Sequence, residues 1–315
     1  MKNFDRFLPR RSRGDAAGPG PKALLPLLLL GLLCLFFCAA CGEPAPPPTP
    51  PPTEDPYAGM VQVPSGFGTL MWVRAYPELP VNDLRPEDFS PAANYIGDRY
   101  LVLRGIDVSE HQGEIDWSAV RASEIEFAIL RAGYRGYGEA GTLNADTCFA
   151  ENVNSAMLLG IPIGVYFFSQ ATGPEEAVEE AEYLLELLRP YPPQYFSLPV
   201  YYDWEAIGID EARTDGMDSE TITACAAAFC ARIAEAGYTP GIYAYRNLGY
   251  FSYDLRLLKD YSLWIASVGA YPDFYYAHAM WQYSYQGKVP GIGTDVDLDL
   301  LFLPRETEAE AADAS

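Results

Sequence analysis

The stretch Leu198-Pro199-Val200-Tyr201-Tyr202-Asp203-Trp204-Glu205 combines the pattern of a buried strand with two acidic residues. Valine and tyrosine favour strands, and residues two apart on a strand project from the same face. Asp203 and Glu205 are therefore predicted to lie side by side at the end of a buried strand. Two carboxyl groups in unequal environments can transfer protons at neutral pH. A solvated strand-to-loop junction would give the same pattern.

Other short apolar runs alternate with amphipathic segments along residues 57–304. They predict eight strands, at 103–108, 127–132, 161–168, 198–202, 241–245, 263–267, 280–283 and 295–298. One helix is expected to begin at Pro174, and another near Asp218, ending at Gly237. Connections after residue 263 are too short for full helices. The predicted fold class is α/β: an irregular (β/α) TIM-like barrel with an incomplete, partly antiparallel C-terminal part.

Acidic residues follow three of the predicted strands. Asp107 ends the first strand, Asp203 and Glu205 end the fourth, and Asp297 lies in the last. Active sites of β/α barrels lie at the carboxyl ends of the strands. The four acids are therefore predicted to converge on one site. Asp107 and Asp297 could instead be structural, with hydrogen bonds to backbone at the barrel seams.

The opening motif Gly105-Ile106-Asp107-Val108-Ser109-Glu110-His111-Gln112-Gly113, with Ile115-Asp116-Trp117, resembles that of the family 25 glycoside hydrolases, or Chalaropsis-type lysozymes. Later motifs occur in the family's order: Phe127-Ala128-Ile129-Leu130-Arg131-Ala132, Gly164-Val165-Tyr166-Phe167-Phe168, Asp203-Trp204-Glu205, Leu263-Trp264-Ile265-Ala266, Trp281-Gln282-Tyr283-Ser284 and Val296-Asp297-Leu298. The resemblance covers residues 104–302. It implies an irregular barrel and an N-acetylmuramidase that cleaves the β-1,4 bond between N-acetylmuramic acid and N-acetylglucosamine, without cofactor or metal.

The resemblance also implies that Asp107, Asp203, Glu205 and Asp297 are the active-site acids. We expect Glu205 to be the general acid, with a pKa raised by an aromatic barrel mouth. We expect Asp203 to orient the substrate's 2-acetamido group, whose oxygen can attack the anomeric carbon. A protein nucleophile, Asp107 or Asp297, stays open as the alternative. Sugar contacts are expected from side chains that share the parity of the acids: Tyr166, Phe168, Tyr201, Tyr243 and Gln282.

Three residues depart from the family's usual pattern. Val268 stands where many members have an aromatic residue, Phe167 replaces a common histidine, and Asp299 replaces a frequent asparagine. None of these changes removes a predicted catalytic acid. His111 is expected to brace the loop that carries Asp107, together with Gln112.

The segments outside 105–304 predict export and tethering. Residues 1–41 have a basic start, an apolar run at 23–40 and small residues before Cys41, which is typical of a signal peptide with a lipidation site at Cys41. An uncleaved membrane span is the alternative. Residues 42–56 form a proline-rich linker, 57–104 an N-terminal extension packed on the barrel, 105–304 the catalytic domain, and 305–315 an acidic disordered tail. The protein is expected at the outer face of the cell membrane.

Composition excludes several classes of function. The net charge of −22 argues against nucleic-acid binding, which needs a positive patch. With two histidines, a zinc site built on several histidines is nearly excluded, and a Ser-His-Asp triad has few candidates. The expected partners are peptidoglycan glycan strands and the membrane, and the chain is expected to be a monomer. A non-catalytic wall-glycan-binding module and a hydrolase of another amino-sugar polymer are the competing functions.

Overall fold

The computed structural model describes residues 55–91, 93–209 and 211–305. The predicted signal segment 1–41 with Cys41, most of the 42–56 linker and the tail after Arg305 lie outside the described residues. Within the described ranges, no helix is both long enough and apolar enough to cross a membrane.

Eleven strands are present in these ranges. A hairpin of β1 (Met60–Pro64) and β2 (Leu70–Arg74) precedes the main sheet. The main sheet contains β3 (Tyr100–Val108), β4 (Phe127–Arg135), β5 (Leu143–Ala145), β6 (Ile163–Ser169), β7 (Val200–Trp204), β8 (Pro240–Tyr245), β9 (Ser262–Ala266), β10 (Met280–Gly287) and β11 (Val296–Pro304). All eight predicted strands are found, with shifted ends, and β11 continues six residues beyond its predicted end.

Eight of these strands close into a barrel, in the order β3-β11-β10-β9-β8-β7-β6-β4 and back to β3, with β5 added at β4. Seven strands run parallel, whereas β11 is antiparallel to both β10 and β3. The prediction of a partly antiparallel C-terminal end is confirmed. A closed barrel satisfies every strand edge, and its parallel strands place their carboxyl ends at one mouth.

Five helices cover part of the barrel: α1 (Trp117–Arg121), α2 (Phe149–Leu158), α3 (Pro174–Leu188), α4 (Ser219–Glu235) and α5 (Arg246–Phe251). Pro174 is the first residue of α3, and the Asp218 side chain caps α4 by accepting from the Thr221 amide at 2.7 Å. Gly237 follows α4 with a φ of +86°. No helix joins β9 to β10. The result is a mostly β closed barrel with a few helices.

The barrel interior changes from apolar to polar along its axis. Its lower part is filled by Phe127, Ile129, Tyr201, Tyr243, Trp264, Met280 and Leu301. Period-two alternation then places more distal residues of the same faces at the mouth. Arg131 thus follows Ile129, and Asp203 follows Tyr201. The strand pattern that fills the core therefore also aims the acids at the mouth.

The outer face of the seam between β10 and β11 has no helix. Trp281, Leu300 and Phe302 project there, and they pack against Leu84, Phe89 and Ala93 of the N-terminal segment. The Asn82 side chain anchors this segment by donating to the backbone carbonyl oxygens of Pro272 and Phe274, both at 2.9 Å. The segment therefore does at this seam what a helix does elsewhere on the barrel.

Candidate active site

A cavity of about 500 Å³ opens at the mouth where the parallel strands end. All four predicted catalytic acids lie in its wall, and so do four of the five predicted sugar-contacting residues. The lining residues are Asp107, Glu110, His111, Arg131, Tyr134, Tyr137, Tyr166, Phe168, Asp203, Glu205, Ile207, Tyr243, Trp264, Gln282 and Asp297.

Asp203 and Glu205 form a carboxyl pair at the end of β7. Asp203 is buried, and its Oδ1 faces no hydrogen-bond donor among the described residues, whereas Glu205 is partly exposed to the cavity. Burial raises the pKa of Asp203 well above its usual range, and the neighbouring Glu205 raises it further. Burial also raises the pKa of Glu205 to about 7, although the adjacent Asp203 carboxyl group opposes this. The two carboxyl groups therefore share a proton near neutrality, and one of them, Glu205, reaches the cavity.

Asp107 and Asp297 lie on the other side of the mouth from the Asp203–Glu205 pair. They are direct neighbours in the antiparallel register of β3 and β11. The Gln282 amide nitrogen donates to Asp107 Oδ2 at 2.7 Å and to Asp297 Oδ2 at 3.3 Å. The Tyr243 hydroxyl donates to Gln282 Oε1 at 3.1 Å. Burial raises the pKa of Asp297 to about 6 and that of Asp107 well above its usual range.

These hydrogen bonds change the expected role of Gln282. Its amide nitrogen is already shared by two carboxyl groups, and its oxygen accepts from a tyrosine. Gln282 therefore orients the acids, and one acceptor position of its oxygen is left for a ligand.

Arg131 is the cation of the site, and sequence reasoning did not assign it a role. Its guanidinium donates to Asp146 at 2.8 Å and to Glu110 at 3.1 Å, and it contacts His111 Nε2 at 3.3 Å. Its charge lowers the pKa of Asp203, against the larger effect of burial. The signal was available, because Arg131 follows Phe127 and Ile129 on the inward face of a buried strand.

The aromatic residues divide into cavity wall and core. Tyr166, Phe168 and Tyr243 line the cavity, and the Tyr166 ring packs edge-on against Trp264. Tyr201 does not line it. It is fully buried one layer below the acids, with its hydroxyl near Ser262, so the expected sugar contact of Tyr201 is wrong. The alternation of residues along β7 correctly predicted that Tyr201 projects into the barrel. It lies too deep along the barrel axis to reach the cavity.

The three departures from the family pattern lie in different surroundings. Val268 is exposed beyond the end of β9, and Phe167 is fully buried on the outer face of β6, against Tyr183 and Phe229. Asp299 is fully buried beside the acids. His111 and Gln112 follow β3, and the Gln112 side chain accepts from the Ser109 amide at 2.9 Å. The loop after Asp107 is thereby held in place.

A second cavity, of about 340 Å³, lies near the amino-terminal ends of β3 and β9. Its wall is mainly apolar, with Leu79, Ile242, Leu258 and Phe302. It contains no carboxyl group, so the predicted carboxyl chemistry belongs to the mouth cavity.

The mouth cavity is equipped for hydrolysis by acid catalysis. Glu205 can carry a proton to a leaving oxygen, Asp203 can accept or orient a group beside it, and Asp107 and Asp297 can stabilise positive charge developing across the mouth. The aromatic residues in the cavity wall suit the apolar faces of a sugar ring.

Comparison with known proteins adds three relatives. The chain is 27% identical over 199 residues to the autolytic lysozyme of Clostridium acetobutylicum, covering 62% of this chain and 55% of that protein. It therefore spans about half the length of that relative. Among solved structures, the modular autolysin LytC from Streptococcus pneumoniae, solved in complex with a synthetic peptidoglycan ligand, matches at 25% identity with a TM-score of 0.54, covering 77% of this chain and 56% of LytC.

A family 25 glycosyl hydrolase from Bacillus anthracis shares the fold, with a TM-score of 0.53 at 23% identity, covering 70% of this chain and 95% of that one. The model of the glycosyl hydrolases family 25 matches residues 106–292, which is more than half of the chain. This range includes three of the four acids, and Asp297 lies just beyond it. This protein belongs to family 25 of the glycosyl hydrolases.

Proposed function

We propose that this protein is a peptidoglycan hydrolase, an N-acetylmuramidase that cleaves the β-1,4 bond between N-acetylmuramic acid and N-acetylglucosamine. The observation that carries the proposal is the Asp203–Glu205 pair, which shares a cavity with Asp107 and Asp297 in a family 25 barrel. Relatives that are named lysozyme and autolysin support peptidoglycan as the substrate. We take the barrel to be an irregular variant of the TIM-like plan.

In the proposed reaction, Glu205 gives its proton to the glycosidic oxygen as the bond from that oxygen to the anomeric carbon breaks. Asp203 holds the 2-acetamido group so that its oxygen bonds to the anomeric carbon, and its carboxylate accepts a hydrogen bond from the amide N–H, which stabilises the positive charge that this group gains. Water then attacks the same carbon and gives a proton to Glu205, and the bond from that carbon to the acetamido oxygen breaks. Asp107 and Asp297 stabilise the positive charge on the ring, and either one acting as nucleophile is the alternative route.

The test is digestion of purified peptidoglycan by the fragment 55–305, with identification of the new reducing ends. We expect reducing N-acetylmuramic acid, and unchanged activity with EDTA. Exclusively N-acetylglucosamine ends, or cleavage only of an N-acetylglucosamine polymer, would support a hydrolase of another kind. Binding of wall glycan without any cleavage would support the non-catalytic module.

The location of the enzyme follows from the same proposal, since its substrate lies outside the cytoplasm. We infer that Cys41 carries a lipid and that the 42–56 linker holds a monomeric catalytic domain, with its 57–104 extension, above the outer face of the membrane. The fourteen residues 43–56 of this linker reach about 40 Å in polyproline geometry. Lipid labelling of the intact chain tests this. Label lost in Cys41→Ser supports the anchor, whereas an unlabelled protein with its full N-terminus supports an uncleaved span.

A further inference from the structure

Asp299 is a carboxyl group that the proposed reaction does not use. It lies on β11 below the mouth and is fully buried. Trp264 Nε1 donates to its Oδ1 at 2.8 Å, whereas its Oδ2 faces no hydrogen-bond donor among the described residues. A buried polar atom left in this state is costly, so its surroundings need an explanation.

The neighbour of Asp299 is the carboxyl group of Asp107. Asp299 pairs with Gly105 in the register of β3 and β11, so Asp107 is its diagonal neighbour, and the two carboxyl groups lie side by side. Two oxygen atoms of ionised carboxylates repel each other. The contact is favourable only when a proton lies between them.

The other groups around Asp299 do not supply a counter-charge. β10 contributes the neutral Gln282 opposite it, and Tyr283; β9 contributes the Trp264 indole; β7 contributes Tyr201; and β11 itself contributes Asp297. Each titratable group among these is an acid. Burial raises the pKa of Asp299 well above its usual range; the Trp264 hydrogen bond and the Asp107 carboxyl group oppose this, whereas the charge of Asp297 adds to it. Burial and both aspartates raise the pKa of Asp107 in the same direction.

We propose that Asp299 is a positioning residue: it shares one proton with Asp107, and this bridge fixes the Asp107 carboxyl group, with a single negative charge over the pair, toward the mouth cavity. The functional part of this inference rests on the proposed hydrolase activity. Gln282 donates to one oxygen of Asp107, and Asp299 lies beside the Asp107 carboxyl group on the side away from the cavity. The two neighbours together fix the orientation of this carboxyl group. Loss of the proton would put two adjacent negative charges in a buried site and would displace Asp107.

Two substitutions separate the bridge from simple packing. Asp299→Asn keeps the shape, accepts from Trp264 through its oxygen and donates permanently to Asp107 through its amide, so it imitates the protonated acid. Asp299→Leu has the same branching as aspartate, a larger volume and no donor. We expect Asp299→Asn to keep peptidoglycan turnover within about threefold of wild type, and Asp299→Leu to lose about 10–100-fold. Equal loss in both variants would contradict the bridge.

Two readouts need no substrate, and they keep the test valid if Asp299→Leu fails to fold. The infrared carboxylic-acid C=O band of wild type at pH 7 should lose intensity in Asp299→Asn, and not in Asp260→Asn, the same change at an exposed position. Because the pKa of Asp299 is raised, the folded state holds a proton that the unfolded state releases. The contribution of this group to the free energy of unfolding of wild type therefore falls as pH rises above about 4. The melting temperature of Asp299→Asn minus that of wild type should therefore grow from pH 5 to pH 8.

An unchanged band together with a pH-independent difference in melting temperature would overturn the shared proton. A wild-type protein that cleaves no peptidoglycan would overturn the proposed function, while these two readouts would still decide whether the pair holds a proton.

Discussion

The mouth of the barrel carries two carboxyl pairs that differ in how the chain builds them. Asp203 lies in β7 and Glu205 directly follows the last residue of that strand, where it reaches the cavity. Asp107 and Asp299 come from strands at opposite ends of the domain sequence, and Asp299 is sealed below the mouth. The proton of the first, open pair can reach a substrate through Glu205, whereas the proton that we propose for the second pair lies behind Asp107, on the side away from the cavity. Similar chemistry thus gives a reactive site at β7 and a supporting one at β3 and β11.

Glu205→Gln is expected to have the largest effect on activity, and it tests whether the Asp203–Glu205 pair supplies the proton. It keeps the shape of the side chain and removes the proton that the open pair would deliver. We expect peptidoglycan turnover to fall by about 10²–10⁴-fold, with a folded protein by circular dichroism. Glu235→Gln, the same change at an exposed position on α4, should leave turnover unchanged. Near-normal turnover in folded Glu205→Gln would show that the open pair is not the acid.

Asp203→Asn should have the next largest effect. If Asp203 holds the acetamido group through its charge, turnover should fall by about 10–10³-fold. The same substitution removes a buried acid whose pKa is raised, so the variant should melt at a higher temperature than wild type at pH 8 and gain less at pH 5. Measured kinetics and melting curves at both pH values check this. Loss of both activity and stability would instead indicate a structural role for Asp203.

The open pair should also control the pH profile. The reactive form has Glu205 protonated, so kcat/KM should decrease as pH rises above about 7, approaching tenfold per pH unit. The apparent pKa of this limb belongs to the coupled pair. A profile that stays level to pH 9, measured on soluble glycan fragments, would place the acid elsewhere.

The smallest effect is expected when the indole that donates to Asp299 is replaced. Trp264→Phe removes the hydrogen bond to Asp299 Oδ1 but keeps an aromatic ring, and we expect turnover to fall by about 3–10-fold. Trp281→Phe is the matched control, because Trp281 is also fully buried and donates to Ser267, but on the outer face of β10. If both variants lose activity equally, the effect comes from packing alone.

The same contrast explains what the sequence could predict. The eight strands, the starts of α3 and α4 and the convergence of the acids follow from local periodicity and capping. The Asp203–Glu205 pair was visible because both members lie at the end of one strand. The position of Asp299 beside Asp107 and the role of Gln282 were not, because they depend on the antiparallel closure of β11 against β3 and on the pairing of β10 with β11, which no local pattern encodes.

Tyr201 shows a second limit. A period of two gives the face of a strand but not the depth of a residue along the barrel, so a core tyrosine looked like a cavity residue. Arg131 shows the opposite case, since its position was readable from the same parity that placed Asp203.

The segment that covers the helix-free seam has a consequence for folding. Leu84 and Phe89 pack against Trp281, Leu300 and Phe302, which follow about 200 residues later in the chain. The N-terminal segment is therefore made early but finds its apolar partners only when the last strand is complete. Contacts this distant slow folding and leave apolar surface exposed in the meantime. The barrel is closed only when β3 pairs with β11, so the strand pairing that completes the fold also brings Asp107 and Asp299 together.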